Sequence, residues 1–279
     1  MGDTLDSARR CARQQLAAHS DSPDLDARRL LEHILGIGAV DFIAHPERRL
    51  SAAELEQLDA LLQRRLAGEP IAYLVGEIGF WTLDLQVDAR VLVPRPDTET
   101  LVEAVLERLD DQPATVADLG TGSGAIALAL ASERPHWQIW ATDIDAGALD
   151  CAQANAVRLG LTNLCFAQGS WLAALPCQNF DAIVSNPPYI DSGDPHLQAP
   201  ALTYEPQRAL VAAEQGQADL ASIAVAACSY LRPGGYLMLE HGFEQGPTVR
   251  TLLEPAFEAI ETLPDLGRQP RVTLGRRPL

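Results

Sequence analysis

Val116-Ala-Asp-Leu-Gly-Thr-Gly-Ser-Gly124 is the stretch that decides the fold of this chain. It passes from a short apolar segment into three glycines at alternate positions, and the apolar helical pattern of Ala125–Ala131 follows. Glycine lets the backbone turn tightly and brings N–H groups close to a ligand at the start of a helix. This order of strand, glycine-rich loop and helix predicts the first unit of a Rossmann-like α/β domain.

The spacing of the loop indicates which ligand it suits. Its pattern is GxGxG after the acidic residue Asp118, which differs from the GxGxxG of dinucleotide-binding loops. A pyrophosphate prefers a positive helix end, whereas an acid beside the loop suits a cationic group such as an ammonium or a sulfonium. A second acid, Asp143, follows Gly124 by nineteen residues and is placed to accept both hydroxyls of a ribose. A glycine-rich turn with a purely structural role is the alternative.

Strand and helix patterns alternate through the rest of the chain, which is typical of a doubly wound α/β domain. Five strands are predicted within this alternation, and two more follow in direct succession as an antiparallel edge. The predicted strands are Val116–Leu119, Gln138–Thr142, Leu164–Ala167, Ala182–Ser185, Tyr236–Glu240, Phe257–Leu263 and Arg271–Gly275.

The first seventy residues show the spacing of short amphipathic helices. One is predicted to begin with Ser22 as the N-cap and Pro23 at the first helical position, and to end at Gly36. Another opens with the capping box Ser51-Ala-Ala-Glu54 and runs to Gly68. Arginine doublets recur in this region, and we interpret them as solvated helix faces. A docking surface for an acidic or RNA-associated partner is the alternative.

The pattern changes to β-type alternation from Ile71 to Val93, which predicts a hairpin that joins two domains. Pro94-Arg-Pro96 ends this hairpin, and Asp97 is placed to cap the helix that follows. The expected organisation is a helical domain over residues 1–72, a β-hairpin linker over 73–95 and an α/β domain over 96–279.

Composition excludes several classes of protein. All 21 basic residues among the 279 are arginine, so neither a Schiff-base lysine nor the phosphate-binding lysine of a P-loop is present. The formal net charge is −17 and the pI is about 4.6. Phosphate backbones repel such an acidic surface, so we expect no direct nucleic-acid partner.

Cysteine and histidine spacing predicts no metal site. The cysteines form no CxxC pair and the histidines form no HxxxH or HExxH pattern, so we expect scattered reduced thiols. No apolar run has transmembrane length, and the N-terminus lacks the apolar core of a signal peptide. We therefore expect a soluble, cytoplasmic protein without membrane association. The five cysteines are Cys11, Cys151, Cys165, Cys177 and Cys228.

A second motif, Ser185-Asn-Pro-Pro-Tyr-Ile190, follows the apolar strand Phe180–Val184 and lies at the sheet edge where open α/β folds bind ligands. Each proline forces the preceding residue to be extended, which makes a rigid turn. The Asn186 side-chain oxygen and the Pro187 carbonyl can accept both hydrogens of an NH2 group. Holding them fixes a weakly nucleophilic nitrogen for in-line attack and stabilises the positive charge that develops. Tyr189 would pack against a planar acceptor. A proline-stiffened turn without chemistry is the alternative.

Together these segments resemble the HemK family, the N5-glutamine methyltransferases of peptide chain release factors, over nearly the whole chain. Asn-Pro-Pro-Tyr also occurs in DNA and RNA amino-methyltransferases, whereas Pro-Arg-Pro-Asp-Thr-Glu and Glu-His-Gly narrow the resemblance to this family. The segments that carry it are Pro70–Glu77, Val93–Glu99, Asp118–Gly124, Ser185–Ile190, Glu205-Pro206, Leu239–Gly242 and Arg271–Gly275.

The resemblance implies a class I methyltransferase domain with a seven-stranded mixed sheet and a helical domain that recognises the substrate. It implies S-adenosylmethionine as methyl donor, the glutamine of the Gly-Gly-Gln loop of bacterial class I release factors as acceptor, and a monomeric enzyme. Catalysis would use Asn186, Pro187 and Tyr189, and the acceptor would also contact Pro188. The implied cofactor contacts are Asp118, Gly120, Thr121, Gly122, Ser123, Gly124, Asp143, Trp171 and Asn186.

One departure from the family is Ser170, where an aspartate often precedes the tryptophan; a hydroxyl or water would then contact the adenine amino group. Glu240 and His241 are interpreted as core or strand-end residues, with a catalytic role as the alternative. Three other functions are weighed. A glutamine of a large-subunit ribosomal protein is the nearest alternative acceptor. A nucleic-acid amino-methyltransferase would have to flip out a base, and the acidic charge opposes it. The intact Asn-Pro-Pro-Tyr turn opposes a non-catalytic binding scaffold.

Overall fold

A computed structural model describes residues 3–176 and 178–279, so Cys177 lies outside the described residues. The chain forms two compact units. The first contains the chain up to Glu77 together with Gln198–Tyr204, and the second contains Ile78–Leu197 and Glu205–Leu279. The domain limits expected from the sequence stay predictions.

The first unit is built from five short helices whose apolar faces form their own core. The capping box of the fourth helix is confirmed: the Ser51 side chain accepts from the Glu54 N–H, and the Glu54 carboxylate accepts from the Ser51 N–H at 2.6 Å. The second helix ends as predicted at Gly36, which has a φ of +60°. Ser22 precedes that helix, but its side chain makes no capping hydrogen bond. The helices are α1 (Leu5–Leu16), α2 (Pro23–Leu35), α3 (Asp41–Ala44), α4 (Ala52–Leu66) and α5 (Ile71–Val75).

The predicted β alternation is wrong for Ile71–Val75, which form α5. A five-residue apolar run fits a buried strand and a buried helical turn equally well. Here Pro70 precedes the helix, and Gly76 ends it with a φ of +80° that glycine adopts without strain. The hairpin is correspondingly short, and its strands β1 (Glu77–Phe80) and β2 (Leu83–Gln86) pair only with each other.

Asp97 does not cap the next helix, α6 (Glu99–Arg108). A 3₁₀ turn over Pro96–Thr98 precedes α6, so Asp97 lies inside this turn. Its carboxylate pairs with Arg271 at 3.1 Å. The acid therefore connects this turn to the last strand of the chain.

The second unit contains the predicted seven-stranded mixed sheet, with strand order β10-β11-β9-β6-β3-β4-β5. Five neighbouring strands, β9-β6-β3-β4-β5, are parallel, and β11 and β10 follow at one edge with antiparallel pairing, as expected. A separate two-stranded pair is formed by β7 (Ile190–Asp191) and β8 (Val211–Ala212). The strands of the large sheet are β3 (Thr115–Leu119), β4 (Gln138–Asp143), β5 (Leu164–Gln168), β6 (Phe180–Ser185), β9 (Leu231–Glu240), β10 (Glu258–Pro264) and β11 (Pro270–Arg276).

Helices cover both faces of this sheet and bury its apolar side chains. One face packs against α6 and α7, and the other against α10 and α11. In α7 every residue from Ala125 to Ala131 is buried, which explains why its sequence is apolar on all sides. The helices of this unit are α6, α7 (Ala125–Glu133), α8 (Ala146–Leu159), α9 (Ala213–Gly216), α10 (Ala218–Tyr230) and α11 (Gly246–Leu253). None of the helices in the described residues is long and apolar enough to cross a membrane.

The arginine doublets of the helical unit pair mainly with acids of the same unit. This local neutralisation favours solvated, ion-paired helix faces over a free basic docking surface. The pairs are Arg9–Asp24, Arg10–Asp6, Arg28–Glu32, Arg48–Glu54, Arg49–Asp3, Arg64–Glu69 and Arg65–Asp26.

We predict that Asp26→Ala destabilises the helical unit by about 2–4 kcal/mol, because it leaves a buried guanidinium without its partner. Asp26 is 3% exposed, lies 2.8 Å from Arg65 and also accepts from the Ser20 hydroxyl. Asp24→Ala is the matched control, since Asp24 is on the same helical turn and is 55% exposed at 3.8 Å from Arg9. Urea denaturation followed by far-UV circular dichroism measures both changes. Equal losses for the two variants would contradict the prediction.

Candidate functional site

A cavity of about 300 Å³ lies at the carboxyl ends of β3, β4 and β6. These neighbouring parallel strands end at one edge, and Leu119 of β3 lies opposite Ser185 of β6. The Ser185 hydroxyl donates to the Leu119 carbonyl at 2.7 Å. The glycine loop and the Asn-Pro-Pro-Tyr turn therefore leave the sheet side by side.

The glycine loop needs glycine for its backbone conformation. Gly120, Gly122 and Gly124 have φ values of +73°, +56° and +88°, a region that other residues rarely adopt. A Cβ on Gly120 would also lie 3.1 Å from the Trp171 ring. The loop thus curves around the cavity with an aromatic wall against it.

Asp143 joins the end of β4 to this loop. Its Oδ2 accepts from the Gly122 N–H at 3.0 Å, and its Oδ1 accepts from the Asp145 N–H at 2.9 Å. Each carboxylate oxygen can accept a further hydrogen bond. Because Asp143 lines the cavity, those acceptor positions suit the two hydroxyls of a ribose.

Asp118 lies behind the cavity wall and is fully buried. Its Oδ2 accepts from the Thr121 hydroxyl at 2.7 Å and from the Ala127 N–H at 3.2 Å. Oδ1 is buried and has no hydrogen-bond partner in residues 3–176 and 178–279. Burial raises the pKa of Asp118 to about 7, against these two hydrogen bonds. Because Asp118 is fully buried and does not line the cavity, its carboxylate holds the loop and does not face the cavity space.

Trp171 and Asp219 form another part of the cavity wall. The indole N–H of Trp171 donates to the Asp219 carboxylate at 3.2 Å, and both residues line the cavity with Ser170. Trp171 has a φ of +46°, which is unusual for a side chain of this size. Its ring is therefore held against the loop in a conformation that the surroundings impose.

The Asn-Pro-Pro-Tyr turn is fixed at both ends by other segments. At its start, the Asn186 amide donates to the Thr98 hydroxyl at 3.2 Å. At its end, Gln245 donates to the Tyr189 carbonyl at 3.0 Å and accepts from the Gly242 N–H at 2.9 Å. Burial raises the pKa of Tyr189 to about 12, so its hydroxyl stays neutral.

A buried acid anchors a further part of the wall. Glu205 is 4% exposed, accepts from the Val93 N–H at 3.0 Å and pairs with Arg95 at 2.5 Å. These contacts fix Val93 and Arg95. The three residues before Val93 line the cavity: Arg90, Val91 and Leu92.

The structure divides the expected residues into those that line the cavity and those that do not. The cavity is lined by Gly120, Gly122, Asp143, Trp171, Asn186 and Pro188, and not by Asp118, Thr121, Ser123, Gly124, Pro187 and Tyr189. Thr98, Asp219 and Gln245 were not predicted. Thr98 lies in a segment that carried the family resemblance, but no local pattern marks the other two.

Comparisons with known proteins agree with this fold and identify the family. Two family models match: the PrmC N-terminal domain over residues 7–76 and the methyltransferase small domain over residues 96–210. A release factor glutamine methyltransferase of Escherichia coli (strain K12) is 50% identical over 92% of this chain and 93% of its own. Those of Yersinia pestis and Vibrio cholerae are 51% and 46% identical, over 92% and 99% of this chain and 94% and 98% of theirs.

Two solved structures share the methyltransferase fold. A methyltransferase from Pyrococcus furiosus has a TM-score of 0.55 at 17% identity, and the match covers 71% of this chain and 90% of that one. The 16S rRNA N2 G1207 methyltransferase of T. thermophilus, in complex with AdoMet and guanosine, has a TM-score of 0.52 at 24% identity. That match covers 72% of this chain and 49% of the other. At these identities the likeness concerns the fold alone.

We predict that Asp118→Asn changes how stability depends on pH. The pKa of Asp118 rises from 3.8 to about 7 on folding, so the folded state retains this proton at a pH where the unfolded chain releases it. The resulting stabilisation is complete below the unfolded pKa and is lost as the pH rises through about 7. The unfolding free energy of Asp118→Asn should therefore rise relative to wild type between about pH 4 and about pH 7, and the difference should level off above that range.

Urea denaturation at several pH values measures this difference. The exposed Asp110, changed to Asn, is the matched control and should show no such trend. A constant difference between Asp118→Asn and wild type would contradict the prediction.

Proposed function

Because this chain belongs to the release factor glutamine methyltransferase family, we propose that it methylates the side-chain amide nitrogen, N5, of a glutamine in bacterial class I release factors. The methyl donor is S-adenosylmethionine, and the acceptor is the glutamine of the Gly-Gly-Gln loop. The enzyme acts as a monomer in the cytoplasm and contacts neither nucleic acid nor membrane directly.

One observation carries this proposal. Asn186 lines the cavity together with Asp143 and the glycine loop, and it also begins the Asn-Pro-Pro-Tyr turn. A donor bound in the cavity and an amide held by the turn would therefore share one wall. Such closeness is what in-line group transfer requires.

The residues at the cavity fit S-adenosylmethionine. Asp143 would accept the ribose hydroxyls, and Trp171 and Gly120 would enclose the ligand. The bound donor supplies an electrophilic methyl group on a positively charged sulfur. The glycine loop follows the acidic residue Asp118 and lacks the GxGxxG pattern of pyrophosphate-binding loops. It therefore suits a positively charged ligand.

The turn would position the acceptor and stabilise its charge. The Asn186 Oδ1 and the Pro187 carbonyl each accept one N–H of the glutamine amide. They would thereby fix the direction of the nitrogen lone pair and stabilise positive charge as the new N–C bond forms. The bond between sulfur and the methyl group would break at the same time, S-adenosylhomocysteine would leave, and one N–H proton would pass to water. Tyr189 packs on the planar amide and, because its hydroxyl stays neutral, adds no charge to the site.

The helical unit would provide a second contact surface for the release factor. A few contacts to one glutamine yield little affinity after a flexible loop has been ordered. The family match of residues 7–76 covers this unit, and the need for further contacts supports substrate recognition as its role. Its arginines are mostly paired, so shape and apolar contact should matter more there than free positive charge.

Mass spectrometry of a treated release factor tests the proposal. Full-length enzyme is incubated with S-adenosylmethionine and either intact release factor or a variant whose Gly-Gly-Gln is changed to Gly-Gly-Ala. The expected result is one methyl group on the glutamine of the intact protein and none on the variant. Methylation of another residue, or only of a ribosomal protein or a nucleic acid, would reject this function.

We predict two separable effects for substitutions at Asp143 and Asn186, which both line the cavity. Asp143→Ala should weaken S-adenosylmethionine binding by roughly 1–3 kcal/mol, the scale of hydrogen bonds to a charged group. Asn186→Ala should mainly lower the rate of single-turnover transfer, because its oxygen acts on the transition state. Calorimetry measures the first effect and quenched-flow methylation the second. Asp150→Ala, on the exposed side of α8, is the control. Unchanged donor affinity in Asp143→Ala, or a wild-type rate in Asn186→Ala, would remove that residue from its proposed role.

A further inference from the structure

Glu240 lies beside the acceptor turn but has no part in the transfer described above. It ends β9, which pairs with β6 so that Leu239 lies opposite Ser185, the residue before Asn186. Its side chain is 1% exposed, and hydrogen bonding from Thr98 and Asn186 lowers its pKa against the effect of burial. Its Oε2 is buried and has no partner in the part of the chain that the structure describes. A buried carboxylate with an unsatisfied oxygen costs stability, so packing does not account for it.

The direction of the Asn186 amide depends on what surrounds it. The oxygen and the NH2 group of an amide have almost the same shape, and only their hydrogen-bond partners distinguish them. Asn186 uses its NH2 group to donate to the Thr98 hydroxyl. A hydroxyl both donates and accepts, so Thr98 alone would accommodate either end of the amide. An ionised carboxylate only accepts. Glu240 therefore attracts the Thr98 O–H and the Asn186 NH2 group, and leaves the Asn186 oxygen on the opposite side.

We propose that Glu240 is a positioning residue for methyl transfer, which holds the Asn186 amide so that Oδ1 rather than Nδ2 meets the acceptor nitrogen. The inference rests on the proposed function, because it concerns the same acceptor amide. With the Asn186 amide reversed, two NH2 groups would face each other and one acceptor N–H would lose its partner. Glu240 thus acts on the reaction through Asn186 without touching the substrate.

Titratable groups from three other segments face Glu240. Arg271 comes from β11, Asp97 from the turn before α6, and the Tyr189 hydroxyl from the acceptor turn. Burial raises the pKa of Glu240 to about 7, with Asp97 acting in the same sense and Thr98, Arg271 and Asn186 in the opposite one. As the pH falls through about 7, Glu240 gains a proton and ceases to be a pure acceptor.

The substitution Glu240→Gln tests the inference in the full-length enzyme with release factor as acceptor. Its volume is nearly unchanged, but its NH2 group no longer enforces one direction of the Asn186 amide. The single-turnover rate should fall roughly 10- to 100-fold, the equivalent of one hydrogen bond to a charged group. Tm should not fall, and donor affinity should fall much less than the rate, since Asn186 is the one residue of the cofactor wall that the substitution affects. The wild-type rate should decrease below about pH 7, and this dependence should disappear in Glu240→Gln.

Thr98→Val and a surface control complete the experiment. Thr98→Val interrupts the same hydrogen-bond chain, so combining it with Glu240→Gln should add little to the larger single effect. Glu258→Gln, on the exposed face of β10, should match wild type. The inference is overturned if Glu240→Gln transfers at the wild-type rate, or if its rate loss comes with equal losses of Tm and donor affinity. If Glu240→Gln does not fold, a wild-type rate in Thr98→Val overturns it. A wild-type enzyme that leaves the Gly-Gly-Gln glutamine unmethylated would instead overturn the proposed function.

Discussion

The buried carboxylate of Asp118 holds the glycine loop, and the rest of the site depends on that loop. One of its oxygens accepts from both the Thr121 hydroxyl and the Ala127 N–H, which joins the loop to the first turn of α7. Once the loop is fixed, the Gly122 N–H donates to the Asp143 carboxylate, and Gly120 packs against the Trp171 ring. The hydrogen bonds to Asp118 thus position the glycine loop, and through the loop its contacts with Asp143 and Trp171.

The sheet could be predicted because each of its strands is marked locally. Short apolar runs alternate with helical patterns, and the glycine loop specifies which strand comes first in the fold. The misassigned segments lack such local information. Ile71–Val75 is too short for its periodicity to distinguish helix from strand. The flanking Pro70 and Gly76 instead mark the start and the end of a helix. Aspartate is a residue type that N-cap positions favour. The Asp97 carboxylate instead pairs with Arg271, which is distant in sequence.

The candidate site was predictable to the extent that it is contiguous in sequence. The glycine loop, Asp143 and the Asn-Pro-Pro-Tyr turn each carry a pattern with a chemical reason. Thr98, Asp219 and Gln245 reach the site across 88, 48 and 56 positions of sequence respectively. Such contacts follow only from the assembled sheet, so no local pattern reveals them. Burial likewise could not be predicted from a local pattern. The sequence identifies Asp118 as part of the loop motif, but only the structure shows that it is fully buried and does not line the cavity.

The stretch Gln198–Tyr204 has a consequence for how this protein can be recombined. It follows the acceptor turn in sequence, yet it belongs to the helical unit, where Pro200 packs on Gly68 and the Tyr204 hydroxyl donates to the Ala67 carbonyl. The chain therefore crosses between the two units three times. A chimera that exchanges only the N-terminal segment with a homologue would leave Pro200 and Tyr204 against foreign residues. The helical unit is inherited as two separate pieces of sequence, so transplanting it requires both.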